Sequence, residues 1–397
     1  MTDTSNTEQF KKDVEAYPKK RQTLNPNKTC KFIDDISQKL QNNVIGQDDP
    51  IKAIVDGLSR VVSGVKNPEK PILTMLLLGS TGVGKTETVK VMAEAFFGSR
   101  SSFTRINCEE LSESHTISKL LGSPPGYIGG EIQPLLAQNF IDDPCQEAWD
   151  EKKGIFSGDL SIPLKFINPA KDEHLSIILF DEIEKAHQKV WTSLLAILDD
   201  GHLTLSNTNE VNLRHSIIIM TTNVGSRELD QTISKASLGF QIEDAKQQNT
   251  EVKHEAITAV KEYFPPEFCN RFDSIIAFNL LTEKDLRKIL TLHLDKFQQQ
   301  IIHTSTPIKL SYKKKFLDLV IKEGTSVQHG ARHLSRAIQN LVITPISKMI
   351  ASEQLIGGDN VILTVNRNKP KFIREERTDK QIENWIKKKG KKKHIKS

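Results

Sequence analysis

The chain of 397 residues is long enough for two or three compact domains, and its 37% hydrophobic and 26% charged residues exclude a membrane-embedded protein; no apolar run approaches the ~20 residues that cross a bilayer. The net charge of +5 sits in one place: residues 387–397 hold seven lysines and no acid, which leaves −2 for the rest of the chain. That distribution excludes a basic surface spread over the whole fold; a lysine run of this kind is usually solvated, and nucleic acid, an acidic partner or a membrane surface would each suit it.

In chain order, residues 1–42 read as a polar arm, punctuated by Pro18 and Pro26 and ending in a short helix. The opening Met1-Thr2-Asp3-Thr4-Ser5 lacks the apolar core of a secretory signal, so cytoplasmic residence is expected. From Val44 to about Leu280, apolar runs at 73–78, 103–106, 177–180, 217–220 and 275–278 predict strands with helices between them. Such alternation predicts an α/β domain over 43–280, built on a mostly parallel, doubly wound sheet. Beyond Thr282 the pattern turns mainly helical, with Leu334, Ile338, Leu341 and Val342 on one stripe and a short strand at 361–365. A second, smaller domain is therefore expected over 281–366, followed by a basic tail over 367–397. Cys30, Cys108, Cys145 and Cys269 form no C-x-x-C pair, so neither a zinc module nor a disulfide framework is expected.

Two segments carry chemistry. The strand at 73–78 runs into Gly79-Ser80-Thr81-Gly82-Val83-Gly84-Lys85-Thr86, and a helix is expected to leave it over 85–97. This fits G-x-x-x-x-G-K-[ST], in which glycines let backbone N–H groups converge on phosphate oxygens at a helix N-terminus. Lys85 would reach the β- and γ-phosphates, and the Thr86 hydroxyl would ligate Mg²⁺. The strand at 177–180 ends in Asp181-Glu182, placing one acid to hold the metal and one to polarise the attacking water. After it, Val190, Leu194, Ile197 and Leu198 share a helix face that stops at Gly201. Both segments fall at carboxyl ends of strands, where sheets of this kind bind ligands, and together they imply nucleoside triphosphate hydrolysis.

Further motifs follow in a fixed order: Val44-Ile45-Gly46-Gln47, Gly122-Ser123-Pro124-Pro125-Gly126-Tyr127-Ile128-Gly129, Asp181-Glu182-Ile183-Glu184-Lys185-Ala186-His187, Leu198-Asp199-Asp200-Gly201, Met220-Thr221-Thr222-Asn223-Val224-Gly225, Pro266-Glu267-Phe268-Cys269-Asn270-Arg271-Phe272-Asp273 and Gly330-Ala331-Arg332. From Val44 to Val365 the chain resembles the Clp-type AAA+ unfoldases, most of all the second ATPase module of ClpA, ClpC or ClpB. The resemblance implies an AAA+ P-loop module with a small C-terminal domain, Mg²⁺-ATP as the fuel, and a hexameric ring that threads polypeptide through its pore. It implies that Val44 and Ile45 flank adenine, that Asn223 is the sensor orienting the hydrolytic water, and that Arg271 is the finger offered to a neighbour's γ-phosphate. Arg332 would be the second sensor, and Tyr127 the pore-loop aromatic that grips polypeptide. Leu238-Gly239-Phe240 stands where family members that feed the peptidase ClpP carry a docking tripeptide, so a ClpP-type peptidase is an expected partner. The alternative within the family is a stand-alone remodelling chaperone. A nucleic-acid-directed AAA+ protein is disfavoured by the Gly-Tyr-Ile-Gly loop, and an inactive scaffold by the presence of Lys85, Asp181, Glu182, Asn223 and Arg271.

Three departures accompany the resemblance. The sequence holds one ATPase module, without a recognisable amino-terminal substrate domain. Asn107-Cys108-Glu109-Glu110 replaces the family's acidic stretch after the second strand. An insertion over about 142–173 separates Tyr127 from Asp181, and by topology it should enter the strand at 177–180 from its amino end, away from the nucleotide.

Overall fold

A computed structural model describes residues 23–25, 28–63, 67, 69–123, 126, 133–146, 149–150, 155–156, 175–226, 244–324 and 330–375. Contacts divide the chain after Lys31, and residues 43–366 all lie in the unit that begins at Phe32. Five strands, β1 (Leu73–Leu78), β2 (Thr104–Asn107), β3 (Ser176–Asp181), β4 (Ser216–Thr222) and β5 (Ser274–Ala277), pair in parallel in the order β2-β3-β4-β1-β5. Each of the five runs expected to be a strand is one, with ends shifted by a residue or two.

Every residue of β1, β3 and β4 is buried, as a parallel sheet covered on both faces requires. Alternation along the strands feeds two cores. Met75, Leu77, Ile177 and Leu179 pack with the helices Lys31–Asn43, Asp48–Ser63 and Lys85–Phe97 on one face. Leu76, Leu78, Ile178 and Phe180 pack on the other face with Val190, Leu194, Ile197 and Leu198 of the helix Gln188–Asp200 and with Phe264 and Phe268. Registry aligns Phe180 with Met220 and Leu78 with Thr222, so β1, β3 and β4 end together.

The opposite edge of the sheet receives the insertion. It begins within the helix Gln138–Gln146, where the Thr104 hydroxyl at the start of β2 donates to the carbonyls of Phe140 (3.3 Å) and Ile141 (3.2 Å) and Cys145 Sγ meets the Ser102 carbonyl at 3.6 Å. The chain returns at Ser176, the first residue of β3. Both ends therefore lie at the amino edge of the sheet. Between them Trp149–Asp150 and Ile155–Phe156 pair as a short antiparallel ladder; the remainder lies outside the described residues.

The second domain opens at Thr282, whose side chain and that of Asp285 cap the helix Glu283–Ile302 reciprocally. Its core joins Leu286, Leu290, Phe316, Val320, Leu334, Ile338, Val342 and Leu363. Here the sequence reading needs correction. In place of one short strand there is a three-stranded sheet, β6 (Lys309–Tyr312) parallel to β7 (Asn360–Asn366) and β7 antiparallel to β8 (Lys369–Arg374). β8 lies beyond the expected boundary at 366, inside what reads as basic tail. Lys369, Pro370, Lys371 and Arg374 mask it, because an edge strand needs no ladder N–H from its proline and tolerates charge on its open side.

Candidate active site

The three strand ends and the loop after β1 converge on a cleft of about 680 Å³ that also takes residues from the small domain. Gly79 has φ 149° and Gly84 φ 115°. A Cβ on Gly79 would stand 3.1 Å from Phe278 Cβ, and one on Gly84 3.1 Å from Val44 Cγ1, so both conformation and space demand glycine. Gly84 precedes the helix Lys85–Phe97 without a side-chain cap. The first N–H groups of that helix therefore keep their donor capacity for a ligand in the cleft. Thr81, Gly82, Val83, Gly84, Lys85 and Thr86 line the cleft, and Ser80 is buried behind them.

Lys85 is buried, and its ammonium donates to the carbonyls of Gly79 and Ser80 (3.2 Å for Ser80) and to Asn223 Oδ1 at 2.9 Å. Burial pulls its pKa down to about 8, while the charges of Glu184, Asp181 and Glu182, in that order, hold it up. Opposite it, the Thr221 hydroxyl organises the end of β3: it donates to Asp181 Oδ1 at 2.5 Å and accepts the Glu182 N–H at 3.0 Å. Arg105 on β2 grips Asp181 Oδ2 through Nη2 (2.6 Å) and Nε (3.1 Å). Glu182 sits at φ 58°, ψ 54°, a left-handed conformation that costs energy for a residue with a Cβ. Its carboxylate is met by Lys185 Nζ at 2.6 Å and, more distantly, by Asn223 Nδ2 at 3.5 Å.

Asn223, just past β4, is thus a hub. Besides Lys85 and Glu182 it engages Glu184 twice, from its backbone N–H at 3.0 Å and from Nδ2 at 3.1 Å.

The other end of the cleft is apolar and partly supplied by the small domain: Val44 and Ile45 face Leu281, Ile289, Leu292 and His293. Burial, with Lys296 nearby, lowers the pKa of His293. Fully buried Gln47 braces this end, donating to the carbonyls of Val83 (3.2 Å) and Asn279 (2.9 Å) and accepting the Asn279 N–H at 2.7 Å. The N–H of Ala331 donates to the Gly82 carbonyl at 3.2 Å, and Arg332 lines the cleft beside it. The small domain therefore touches the phosphate loop directly.

Arg271 is the predicted site residue left out of this assembly. It is absent from the cleft lining; it is 41% exposed and paired with Asp199 Oδ1 at 2.8 Å. Tyr127, Leu238, Gly239 and Phe240 lie outside the described residues. Sequence reading passed over Arg105, Thr221, Glu184 and Asp199. Glu184, Thr221 and Asp199 each stand inside a motif already singled out, one to three residues from a residue given a role. Arg105 carried one signal, a cation on a strand whose neighbour ends in Asp181.

Comparisons with known proteins bear on the family. A family model described as an AAA domain of the Cdc48 subfamily matches residues 70–145 and 165–275, skipping much of the insertion, and the C-terminal, D2-small domain of ClpB protein matches 281–363. The chain is 33% identical over 347 residues to an ATP-dependent Clp protease ATP-binding subunit ClpA homolog of Porphyra purpurea, covering 87% of this chain and 38% of that protein. It is 35% identical over 326 residues to the negative regulator of genetic competence ClpC/MecB of Bacillus subtilis, covering 82% of this chain and 36% of that one. Among solved structures, the S. cerevisiae Hsp104:casein complex in its extended conformation superposes with a TM-score of 0.69 at 28% identity, covering 88% of this chain and 53% of that chain. The chain thus spans well under half the length of the two Clp relatives.

Proposed function

The chain belongs to the Clp-type AAA+ ATPases, and from that premise we propose that it hydrolyses Mg²⁺-ATP to drive polypeptide through a ring of its own copies. The observation that carries the proposal is the interlocked set of Lys85, Asp181, Glu182 and Asn223 at one end of a cleft whose other end is apolar. A triphosphate would lie along the phosphate loop, with its charge against Lys85 and the helix N-terminus and its base between Val44, Ile45 and the small domain.

The donor set fits magnesium. Thr86 and Asp181 both line the cleft. A hydroxyl and one carboxylate are the sparse protein ligands that Mg²⁺ takes when phosphate and water complete its shell. Thr86 and Asp181 would hold it, and it would neutralise charge on the phosphoryl oxygens. Glu182 then accepts a proton from the water that attacks the γ-phosphorus, Asn223 orients that water, and the bond to the bridging β–γ oxygen breaks. Before this, Glu182 has to leave Lys185 for the water.

Arg271, exposed and outside its own cleft, suits a cation delivered to the neighbouring subunit of a head-to-tail ring. Tyr127 in its Gly-Tyr-Ile-Gly loop suits the grip on polypeptide. Cytoplasmic residence remains part of the reading, and no described helix is long and apolar enough to cross a membrane. For the partner, Leu238-Gly239-Phe240 favours delivery to a ClpP-type peptidase. The alternative is stand-alone remodelling; the likeness to the Hsp104:casein complex supports action on polypeptide under either reading. Stable association of the assembled ring with such a peptidase separates the two.

The function is tested with Glu182→Gln. This variant should bind ATP normally, hydrolyse it at least ~10²-fold more slowly, and retain polypeptides that mass spectrometry of the trapped ring then identifies. Wild-type turnover, or nucleic acid retained in place of polypeptide, would overturn the proposal.

A further inference from the structure

We propose that Glu184 is the positioning residue that holds Asn223 in its working orientation, so that the sensor amide stays aimed when nucleotide claims Lys85. This deepens the reading above and rests on Asn223 being the residue that orients the hydrolytic water.

Glu184 does not line the cleft, and its Oε2 is buried away from it. Its Oε1 nevertheless accepts from both nitrogens of Asn223, at 3.0 Å from the backbone N–H and 3.1 Å from Nδ2. The partners fix which way the Asn223 amide faces. An ammonium only donates, so the atom 2.9 Å from Lys85 Nζ is Oδ1; a carboxylate only accepts, so the atom facing Glu182 and Glu184 is Nδ2. In the free protein the amide is therefore tied at both ends. A triphosphate withdraws the Lys85 end, because the ammonium turns to phosphate oxygens. What remains is the 3.5 Å contact to Glu182, which the reaction itself requires to let go, and the pair of bonds to Glu184. Glu184 is the one partner of the amide that the chemistry leaves in place.

Two further features argue against a bland packing role. Glu184 Oε2 is buried without a hydrogen-bond partner, and an acid left in that condition costs stability that an apolar residue would not. The turn that carries it, Ile183–Lys185, is also held from outside the site: Trp191 Nε1 donates to the Ile183 carbonyl at 3.0 Å and the Tyr263 hydroxyl to the Glu184 carbonyl at 3.1 Å. The carboxylate is thus fixed by a rigid support and spends its contacts on one residue.

The test is a double-mutant cycle on the assembled ring. Single-turnover hydrolysis, affinity for a fluorescent ATP analogue and the thermal midpoint are measured for Glu184→Ala, Asn223→Ala and the double variant. Glu184→Ala should slow hydrolysis by ~10-fold or more while affinity stays within ~3-fold, and the double variant should be no slower than Asn223→Ala alone. If the alanine variant does not fold, Glu184→Gln, which keeps the volume and one acceptor oxygen, carries the same cycle with a smaller loss of ~3-fold. Losses that multiply in the double variant, or a wild-type rate for the Glu184 variant beside a slow Asn223→Ala, would overturn this proposal alone. A wild-type rate for Asn223→Ala would overturn the sensor reading and this proposal with it.

Discussion

Two corners of the molecule treat their cations in opposite ways. At the carboxyl edge of the sheet, Lys85 is buried among Asp181, Glu182 and Glu184 and is bonded to Asn223 at 2.9 Å. At the corner just before β5, Arg271 stands 41% exposed, paired with Asp199 at 2.8 Å and outside the cleft. Lys85 pays a desolvation penalty that only an anionic ligand repays in full; the Arg271 guanidinium stays largely solvated and free to exchange partners. The contrast separates what one chain builds for its own nucleotide from what it offers elsewhere. Arg271, exposed and absent from the cleft lining, is the residue the proposed finger between copies would use.

The strongest way to break that contrast is to remove the finger. Arg271→Ala should lower hydrolysis by ~10³-fold and leave ATP affinity nearly unchanged, since the residue does not line the cleft. Mixing it with Lys85→Ala should restore part of the activity, because mixed rings place an intact cleft beside an intact arginine. Mixed rings that form and stay inactive would show that Arg271 works within its own chain, or not at all.

How much of this was legible beforehand depends on how far apart the interacting residues are in the chain. The strands at 73–78 and 177–180 were readable because burial on both faces leaves continuous apolar runs, and their ends were readable because glycines and paired acids are local signals. The clasp of Arg105 on Asp181 and the pairing of Arg271 with Asp199 join segments that only strand order and helix packing bring together, so no local pattern announces them. Glu184 was visible as a residue and invisible as a partner, since nothing in Asp181-Glu182-Ile183-Glu184 says which acid binds Asn223 most closely. In the structure both carboxylates approach Asn223 Nδ2, Glu184 at 3.1 Å and Glu182 at 3.5 Å. β8 was lost for the opposite reason: its lysines and proline look like tail, and only its ladder to β7 makes it a strand.

The contrast is sharpened by pH. Burial places the Lys85 pKa at about 8 in the ligand-free protein, below its ordinary value of 10.5. Below about 8 the ammonium is present to meet a triphosphate; above it, each further pH unit removes up to ~10-fold of the competent form. ATP affinity should therefore fall as pH rises from 8 toward 9.5, with a proton taken up on binding. Stability of the free protein should move the other way in the same window: the unfolded chain still holds the proton that the folded chain has lost, so raising the pH favours folding. In Lys85→Ala the affinity should be weak throughout and flat across this range. A wild-type affinity that stays level to pH 9.5 in titration calorimetry would mean that Lys85 is not the desolvated cation described here.

The smallest expected effect tests whether the two corners communicate through the aromatic residues between them. Tyr263 packs tilted against Trp191 (5.9 Å) and edge-on against Phe264 (4.9 Å), and the series continues through Phe268 to Phe272, beside Arg271. Its hydroxyl is the only part of the ring system that bonds to the backbone of Glu184, while Trp191 holds the preceding residue. Tyr263→Phe keeps the ring packing and removes that one hydrogen bond, at a half-exposed site where water replaces it in part, so the loss of stability should be about 1 kcal/mol or less. If the turn is pinned mainly by Trp191 and the strand end, hydrolysis should fall by no more than ~3-fold and ATP affinity should not change. A loss as large as that of Glu184→Ala would mean that the hydroxyl itself sets the sensor's position. The helix leading to Arg271 would then be mechanically tied to the nucleotide site of its own chain, and the two corners would cease to be independent.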